Sequence, residues 1–442
     1  MKFTMHRVCS IMAMMAWASC SSSDAAFGAG TTSSTSSGGS AKPSGGSKAG
    51  GAASAGASSV ASSKGGAAGG STSTVSVVDD CGAIEASAQT GPLKAVLKAS
   101  RKCGYPPLAV HFDATGSKST NSSIDKGGDF HQIKHGFNFG DPNSGTHSLS
   151  GLSKNEEAPS GGLAAHVYDT PGTYTVTLAS TDSSGSKAST SLTITVLDPS
   201  ALATYAISKN GDFKDAPAGA KQLTTFPKFE SNSRYFFKSG ETWSGSSVTI
   251  LDPLTNIQID TYGGTEKPTF DKMSVGTRPP RSNQFARDIR VRNIHSLGGF
   301  QQEIGSRVLF YQCQSEAGSA HGVSYSHVAP DATLPLEQRE NAYEVFYVDC
   351  RLDGKGVQGG YILHGNGSRL VYLNSFMGGI THGTVRVGAI ERGVIRHCVM
   401  ESPYVESSVG ALKLHSGGPE DYSDKWTRRN ETTRAYINWK TS

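Results

Sequence analysis

Basic and acidic residues recur toward the end of the chain in types that could perform proton-transfer chemistry. A lysine, histidine or arginine can remove a proton or neutralise a nearby carboxylate, and a carboxylate can hold a metal ion or act as an acid. The candidates for a base or a carboxylate neutraliser are Lys413, His415, Arg386 and Arg392. The candidates for metal ligands or acids are Asp349, Asp353 and Glu401. Paired carboxylates of the kind that flank a glycosidic bond in hydrolases are not evident.

Five six-residue segments that align with one another must position these charges. They are residues 289–294, 308–313, 345–350, 370–375 and 393–398, and their fifth residues are 19, 37, 25 and 23 positions apart. A strand-like period in the low twenties with glycine-rich turns indicates a solenoid. The long interval contains a polar insertion, residues 326–341. Because one coil cannot bury its own apolar side, we expect parallel coils stacked about 4.8 Å apart.

The sixth column of this alignment contains Cys313, Cys350 and Cys398. We predict that these thiols are buried neighbours in the stack, because free cysteines behave as small hydrophobic residues. A three-cysteine metal site is the alternative, and the absence of a close Cys-x-x-Cys pair argues against it. The clustered charged residues also have a second interpretation. They could be rows of solvent-facing charges without a catalytic role, which are common on stacked coils.

A separate group of short strands precedes the repeat. Residues 108–112, 165–168, 173–178 and 191–196 alternate apolar and polar side chains, with turn signals between them. This pattern predicts a β-sandwich. Cys81 and Cys103 lie near its edge and could form a disulfide in an exported protein, or remain two free thiols. Its five histidines lack a tight ligand spacing, so no metal site is predicted from His111, His131, His135, His147 and His166.

The first residues have the layout of an export signal followed by a low-complexity tether. Lys2, His6 and Arg7 precede a short apolar stretch, residues 8–18, which is too short for a membrane-spanning helix. Residues 21–75 are almost entirely serine, glycine, alanine and threonine. Glycine is unusually frequent in the whole chain, with 53 of 442 residues, and this segment accounts for much of that excess. Such a segment is a flexible coil. The net charge of +4 is too weak to indicate nucleic acid.

The segment Trp17-Ala18-Ser19-Cys20 resembles the lipobox of bacterial lipoproteins. The resemblance implies cleavage before Cys20, acylation of this residue, and a place at the outer membrane or the cell surface, with the lipid as the only membrane contact. Ordinary signal cleavage near Ala18 or Ala26, followed by secretion, is the alternative.

Residues 107–117, 137–141 and 166–176 resemble the PKD family. Its members are Ig-like sandwiches of extracellular proteins, where they act as spacers or binding modules and often accompany catalytic domains. The stretch 146–162 is longer than the corresponding loop of the family.

The second half resembles the right-handed parallel β-helix superfamily that includes pectate-lyase-like enzymes. The more specific segments are 210–213, 237–243 and 260–263, and strand 411–417 resembles a Leu-Thr-Leu-Arg-His-Gly segment of chondroitinase-B-like lyases. The resemblance implies a polysaccharide lyase, or a glycoside hydrolase, that acts on a polysaccharide or cell-surface glycan, with Ca²⁺ as a cation that such lyases often use. A non-catalytic adhesin or glycan-binding surface lipoprotein is the alternative.

The sequence therefore predicts an all-β protein in four parts. These are a lipoprotein signal peptide, 1–19, a disordered linker, 20–77, a PKD-like β-sandwich, 78–200, and a right-handed parallel β-helix, 201–442. Residues 434–442 begin one more strand, so either the sequence is a fragment or these residues cap the last coil.

Overall fold

The computed structural model describes residues 81–122, 129–251, 253–276, 286–302, 305–316, 324–326, 342–357, 363–380, 385–401, 412–414 and 436–437. All of them belong to one compact unit, Thr74–Ser442. The predicted signal peptide, the tether, Cys20 and His415 lie outside the described residues, as does nearly all of the predicted insertion, 327–341.

The described chain begins with a two-sheet sandwich. One sheet has the strand order β1-β2-β4-β8 with β5 beside β2, and the other has the order β3-β10-β9-β6-β7. Its strands are β1 (Ile84–Thr90), β2 (Leu93–Ala99), β3 (Cys103–Gly104), β4 (Leu108–Asp113), β5 (Lys118–Ser119), β6 (Ile133–Asn138), β7 (Glu156–Ser160), β8 (Leu163–Tyr168), β9 (Gly172–Asp182) and β10 (Lys187–Val196). A four-residue helix, α1 (Asp129–Gln132), precedes β6.

The inner faces of the two sheets form one apolar core that includes Val110, Phe112, Phe137 and Ile194. The alternation in β10, where Leu192, Ile194 and Val196 are buried, places every second side chain in this core. A disulfide joins Cys81 to Cys103 at the edge of the sandwich. A 3-10 turn, Pro199–Ala201, capped by the Asp198 side chain, then leads out of it.

The rest of the chain winds into stacked parallel strands. They are β11 (Ala203–Ile207), β12 (Lys221–Leu223), β13 (Ser233–Lys238), β14 (Thr242–Ile250), β15 (Thr255–Tyr262), β16 (Thr269–Val275), β17 (Ala286–Arg292), β18 (His295–Ser296), β19 (Phe300–Gln302), β20 (Gly305–Tyr311), β21 (Gln314–Glu316), β22 (Ser324–Ser326), β23 (Ala342–Val348), β24 (Arg351–Val357), β25 (Leu363–Leu373), β26 (Phe376–Ile380), β27 (Val385–Glu391), β28 (Val394–Arg396), β29 (Val399–Met400), β30 (Leu412–Leu414) and β31 (Tyr436–Ile437). Large parallel sheets of this kind form a β-helix.

Parallel pairings join most of the described strands of the β-helix into three sheets, and β16 pairs with the first strand of two of them, β18 and β19. We call the first sheet the stack β11, β13, β15, β17, β20, β23, the end of β25 and β28. The second sheet contains β18, β21, β24, β26 and β29. The third sheet contains β19, β22, the start of β25, β27 and β30. The register confirms the repeat read from the sequence, since Val308, Val345 and Leu370 are direct partners in neighbouring coils.

The interior of the β-helix is an apolar column that the coils share. Phe310, Tyr347 and Tyr372 stack on one another with ring centroids 4.9 and 5.5 Å apart. Cys313 and Cys350 are buried beside them, and their thiols donate to backbone carbonyl groups. Burial raises the pKa of the Cys398 thiol to about 12. Cys313 and Cys350 thus pack in the apolar core, as the column pattern predicted, while Cys398 is only partly buried against it.

Residues with a left-handed backbone lie near both ends of β17, β20, β23, the second half of β25, and β28 in the first sheet. Those near or just before the start of these strands form the entry column, which is Asp288, Arg307, Glu344, Arg369 and Arg392, with φ between 55° and 58°. Those after the strands form the exit column, which is Asn293, Gln312, Asp349, Asn374 and His397, with φ between 46° and 55°. Left-handed backbone costs a non-glycine residue about 1 kcal/mol, so stacking must impose the same bend in every coil.

Candidate functional site

Two predicted catalytic residues occupy one register column of the third sheet. Arg386 pairs with Lys413 in the next coil and with His364 in the preceding one, and His364 pairs with Tyr325. We call these four positions the basic column. Successive coils are about 4.8 Å apart, so the backbone brings Arg386 and Lys413 next to each other. The third predicted base, His415, lies outside the described residues.

Two of the predicted metal or acid groups share a column on the second sheet. Asp353 pairs with Glu316 in the coil before it and with Gly378 in the coil after it. A Cβ atom placed on Gly378 would lie 3.3 Å from Cβ of Glu401. Glu401 therefore occupies the same position in the coil that follows Gly378. We call Glu316, Asp353 and Glu401 the acidic column. The Phe376 ring fills the space that a side chain on Gly378 would take, with its Cζ atom 2.8 Å from that Cβ position.

Asp353 and Glu316 of the acidic column each form an ion pair with a neighbouring basic side chain. Arg351 donates to Asp353 Oδ2 at 2.9 Å and stacks on Phe376, with its guanidinium carbon 4.3 Å from the ring centroid. Burial opposes ionisation of Asp353, but the Lys355 amide and Arg351 lower its pKa overall. Glu316 contacts Lys355 Nζ at 3.2 Å. This surface combines an exposed arginine, a carboxylate and an aromatic ring, the side chains that bind sugars and their charged groups.

The remaining two predicted residues lie between the sandwich and the β-helix. Arg392 Nε contacts Asp113 Oδ2 of the sandwich at 2.8 Å. Asp349 accepts from Lys154 Nζ of the sandwich at 2.6 Å and from Asn374. The structure therefore separates Asp349 from the acidic column and Arg392 from the basic column. Both side chains are engaged in joining the two modules.

An apolar patch forms the centre of this junction. Ala109, Leu163, Ala165 and Val167, on the outer face of β4 and β8, pack against the first sheet. Their partners in the β-helix are Leu309, Tyr311, Phe346, Val348, Val371, Leu373 and Val394. All six residues of β8 are buried, because one face lies in the sandwich core and the other lies in the junction. The PKD-like module is thus fixed to the β-helix over several coils.

The entry column supplies a charged network on one side of the patch. Glu344, fully buried, contacts Arg369 Nη1 at 2.7 Å and Arg101 of the sandwich at 3.5 Å. Arg101 also contacts Asp288 at 2.8 Å. Burial opposes ionisation of Glu344, but the surrounding arginines lower its pKa overall. Removal of one partner from such a cluster would leave a buried charge uncompensated.

The exit column supplies the polar contacts on the other side. Asn374 donates to Ser148 and accepts from the Leu149 amide. Tyr311, at the end of its strand, donates to Asp169 Oδ2 at 2.7 Å. These contacts come largely from the segment 146–162, the stretch that is longer than its counterpart in the PKD family. The extra residues of the sandwich therefore serve to reach the β-helix.

One cluster in this segment has the composition of a metal site. The possible ligand atoms of His147, Glu157 and His397 lie within 4.8 Å of one another. His397 Nε2 is 3.0 Å from Glu157 Oε1, and Arg396 Nη1 is 2.6 Å from Glu157 Oε2. The His147 and His397 rings stack with centroids 4.3 Å apart. Burial, followed by the charge of His397, lowers the pKa of His147 to about 3.

Sequence reasoning missed this cluster because its members are far apart along the chain. In the sequence His397 is only the fifth residue of the last aligned segment, 393–398, and His147 is only one of several scattered histidines. The junction itself did leave a signal. Residues 289–292 alternate, whereas 308–311, 345–348 and 370–373 are continuous apolar runs. Such runs are typical of strands that are buried on both faces.

The fold and these surfaces define an all-β protein in which an Ig-like sandwich is docked on a parallel β-helix. Residues 106–196 match the PKD domain family, which confirms the resemblance drawn from the sequence for this part of the chain. No curated protein matches the chain. Among the residues that the structure describes, no helix is long and apolar enough to cross a membrane.

Proposed function

We propose that this protein is an extracellular β-helix enzyme that cleaves an acidic polysaccharide by β-elimination. The observation that carries the proposal is the basic column, which aligns Tyr325, His364, Arg386 and Lys413 at consecutive coils. PKD domains are typically extracellular and accompany carbohydrate-active domains, which supports the choice of substrate. The roles of the side chains in the column follow from the requirements of the reaction.

Elimination at a uronic acid needs a cation and a base. In this proposal Arg386 neutralises the carboxylate, which acidifies the neighbouring C5–H bond, and Lys413 in its neutral form removes that proton. The electron pair forms the C4–C5 double bond, the C4–O bond breaks, and a proton from His364 or Tyr325 is delivered to the leaving oxygen. Ca²⁺ could assist Arg386 as a second cation.

The substitution Lys413→Ala should abolish elimination, and Arg386→Ala should weaken it by at least about a hundredfold, since each removes a group that acts in the transition state. The assay follows ultraviolet absorbance of unsaturated products from pectin, alginate and glycosaminoglycans, with and without Ca²⁺. Lys98→Ala, an exposed lysine on β2, is the matched control and should leave the rate unchanged. Wild-type activity that survives both substitutions would remove the basic column from the mechanism.

The acidic column supports a second candidate, a glycoside hydrolase. Asp353 and Glu401 lie two coils apart across Gly378, or about 10 Å between backbones. Carboxyl groups of inverting hydrolases are about 6.5–9.5 Å apart, a separation that these side chains can reach. A hydrolase would release reducing ends without ultraviolet absorbance, and Asp353→Asn or Glu401→Gln would stop it.

A non-catalytic glycan-binding protein is the third outcome of the same experiment. Its signature is retained binding of a polysaccharide with neither unsaturated products nor new reducing ends. The stacked pair Arg351 and Phe376 would then be the contact surface, and Phe376→Ala should weaken binding. This result would overturn both enzymatic candidates.

We also propose that Cys20 carries a lipid that anchors the protein at the outer membrane or the cell surface. More than one acyl chain is needed for stable attachment. Mass spectrometry of the N-terminal peptide should show an acylated Cys20, and Cys20→Ala should release the protein from membranes. An unmodified Cys20 thiol in the mature protein would contradict the anchor.

A further inference from the structure

We propose that His147, Glu157 and His397 form a zinc-class metal site that fastens the sandwich to the β-helix. The ligands come from both modules: His147 and Glu157 lie in the long segment of the sandwich, and His397 belongs to the exit column. The site is independent of the basic and acidic columns. A negative result for the metal site would therefore leave the proposed enzyme activity unaffected, and the reverse also holds.

The first support is the burial of two of the three ligands, one of which has a nitrogen without a hydrogen bond. His147 is 3% exposed and Glu157 is 6% exposed. His147 Nδ1 is buried and has no hydrogen-bond partner among the described residues. A buried polar atom of this kind costs free energy unless something satisfies it. A metal ion at the centre of the cluster would use the lone pair of an imidazole nitrogen.

The second support is the arrangement around the carboxylate. Arg396, 2% exposed, donates to Glu157 Oε2 at 2.6 Å and to Ser160 Oγ at 3.0 Å. Arg396 thus occupies Oε2, and Oε1, which is 3.0 Å from His397 Nε2, is the oxygen that would bind the metal in exchange for that hydrogen bond. Carboxylates that bind metals are commonly held by such an outer partner, which fixes their orientation.

The donor set selects the class of ion. Two imidazoles and one carboxylate suit Zn²⁺, with a water molecule or hydroxide in the fourth position, whereas Ca²⁺ and Mg²⁺ prefer oxygen ligands alone. The two histidine rings now stack with an interplanar angle of 19°. Binding therefore requires one ring to turn about χ2, which is a soft torsion. Because Arg396 already neutralises Glu157, the imidazoles must supply most of the affinity.

The test uses the whole chain, stripped of metal by a chelator and titrated with ZnCl₂ in a calorimeter. We expect one equivalent to bind and to raise the melting temperature, since an ion that binds only the folded state stabilises it. His147→Gln and His397→Gln should each weaken binding about tenfold or more. His131→Gln, an exposed histidine of the same sandwich, is the matched control and should bind like the wild type.

Two results would overturn the site. One is the absence of zinc binding by the stripped protein, and the other is unchanged binding in both glutamine variants. If these variants fail to fold, X-ray absorption at the zinc edge of the wild type decides the matter. Scattering from two imidazoles and oxygen supports the site, and scattering from sulfur would instead place the ion on the cysteine column.

Discussion

At the scale of single residues, the sandwich contains buried histidines whose pKa values are lowered by their surroundings. His111 and His135 are both nearly inaccessible to solvent, and burial lowers the pKa of each to about 4. The charge of Arg369 also lowers the pKa of His111, against Asp113 and Glu344, which raise it. The charge of Asp113 raises the pKa of His135 against this burial. Both rings are therefore neutral in the folded protein at neutral pH.

The pH dependence of stability follows from this neutrality. A histidine in the unfolded chain binds a proton below about pH 6.5, while these two do so only near pH 4, so stability is lost as the pH falls through that window. For His135 the loss between pH 7 and pH 5 is about 2 kcal/mol. His135→Gln should reduce the loss by that amount in urea unfolding at the two pH values. His131→Gln, which is exposed, should show the wild-type loss, and equal losses in both variants would refute the assignment.

At the scale of elements, tight turns set the register of the strands. Gly140 follows β6 with φ at +71°, and a Cβ atom there would lie 2.4 Å from the Thr175 carbonyl oxygen of β9. Gly145 has a similar φ of +79°, but no atom lies within 4 Å of its Cβ position. The two glycines share their conformation and differ only in the approach of a neighbouring strand.

This pair separates the steric cost from the conformational cost. Both Gly140→Ala and Gly145→Ala place a side chain in the left-handed region, which costs about 1 kcal/mol. Only Gly140→Ala also forces β6 and β9 apart, so we expect it to lower the free energy of unfolding by about 2 kcal/mol or more beyond the control. Denaturant unfolding measures both variants. Similar losses would show that the strand contact at Gly140 can relax.

The sequence predicted the elements well because periodicity reports burial directly. The aligned coils and the cysteine column follow from apolar positions that recur once per coil, and the register places Val308, Val345 and Leu370 as aligned. The partners of Arg392 and Asp349 could not be predicted. A charge that pairs across a junction looks the same in one sequence as a charge that faces solvent, and Asp113 and Lys154 are 279 and 195 positions away from their partners along the chain.

At the scale of the whole molecule, the junction makes the sandwich and the β-helix dependent on each other. Its apolar patch would be exposed in either module alone, and its charged network would lose the partners of Arg101 and Glu344. A PKD module that acts as a free spacer would not need these contacts. The two modules should therefore unfold together.

Calorimetry of the full chain should show one main transition for both modules. Val167→Asp, which introduces a carboxylate into the apolar patch, should separate this transition into two, because burying an unpaired charge costs several kcal/mol. Ser191→Asp, at an exposed position of β10, is the control and should keep a single transition. Two transitions in the wild type would show that the modules are energetically independent.

The two left-handed columns also restrict how such a protein can change over evolutionary time. Side chains of the sandwich form hydrogen bonds and ion pairs with successive coils from Asp288 to His397, and each contact belongs to one particular coil. Gaining or losing a coil inside this stretch would displace all contacts beyond it by about 4.8 Å. The sandwich thus fixes the number of coils that it contacts. Whole repeats can be gained only outside the contacted coils, and within them variation is confined to the loops that lead away from the sheets.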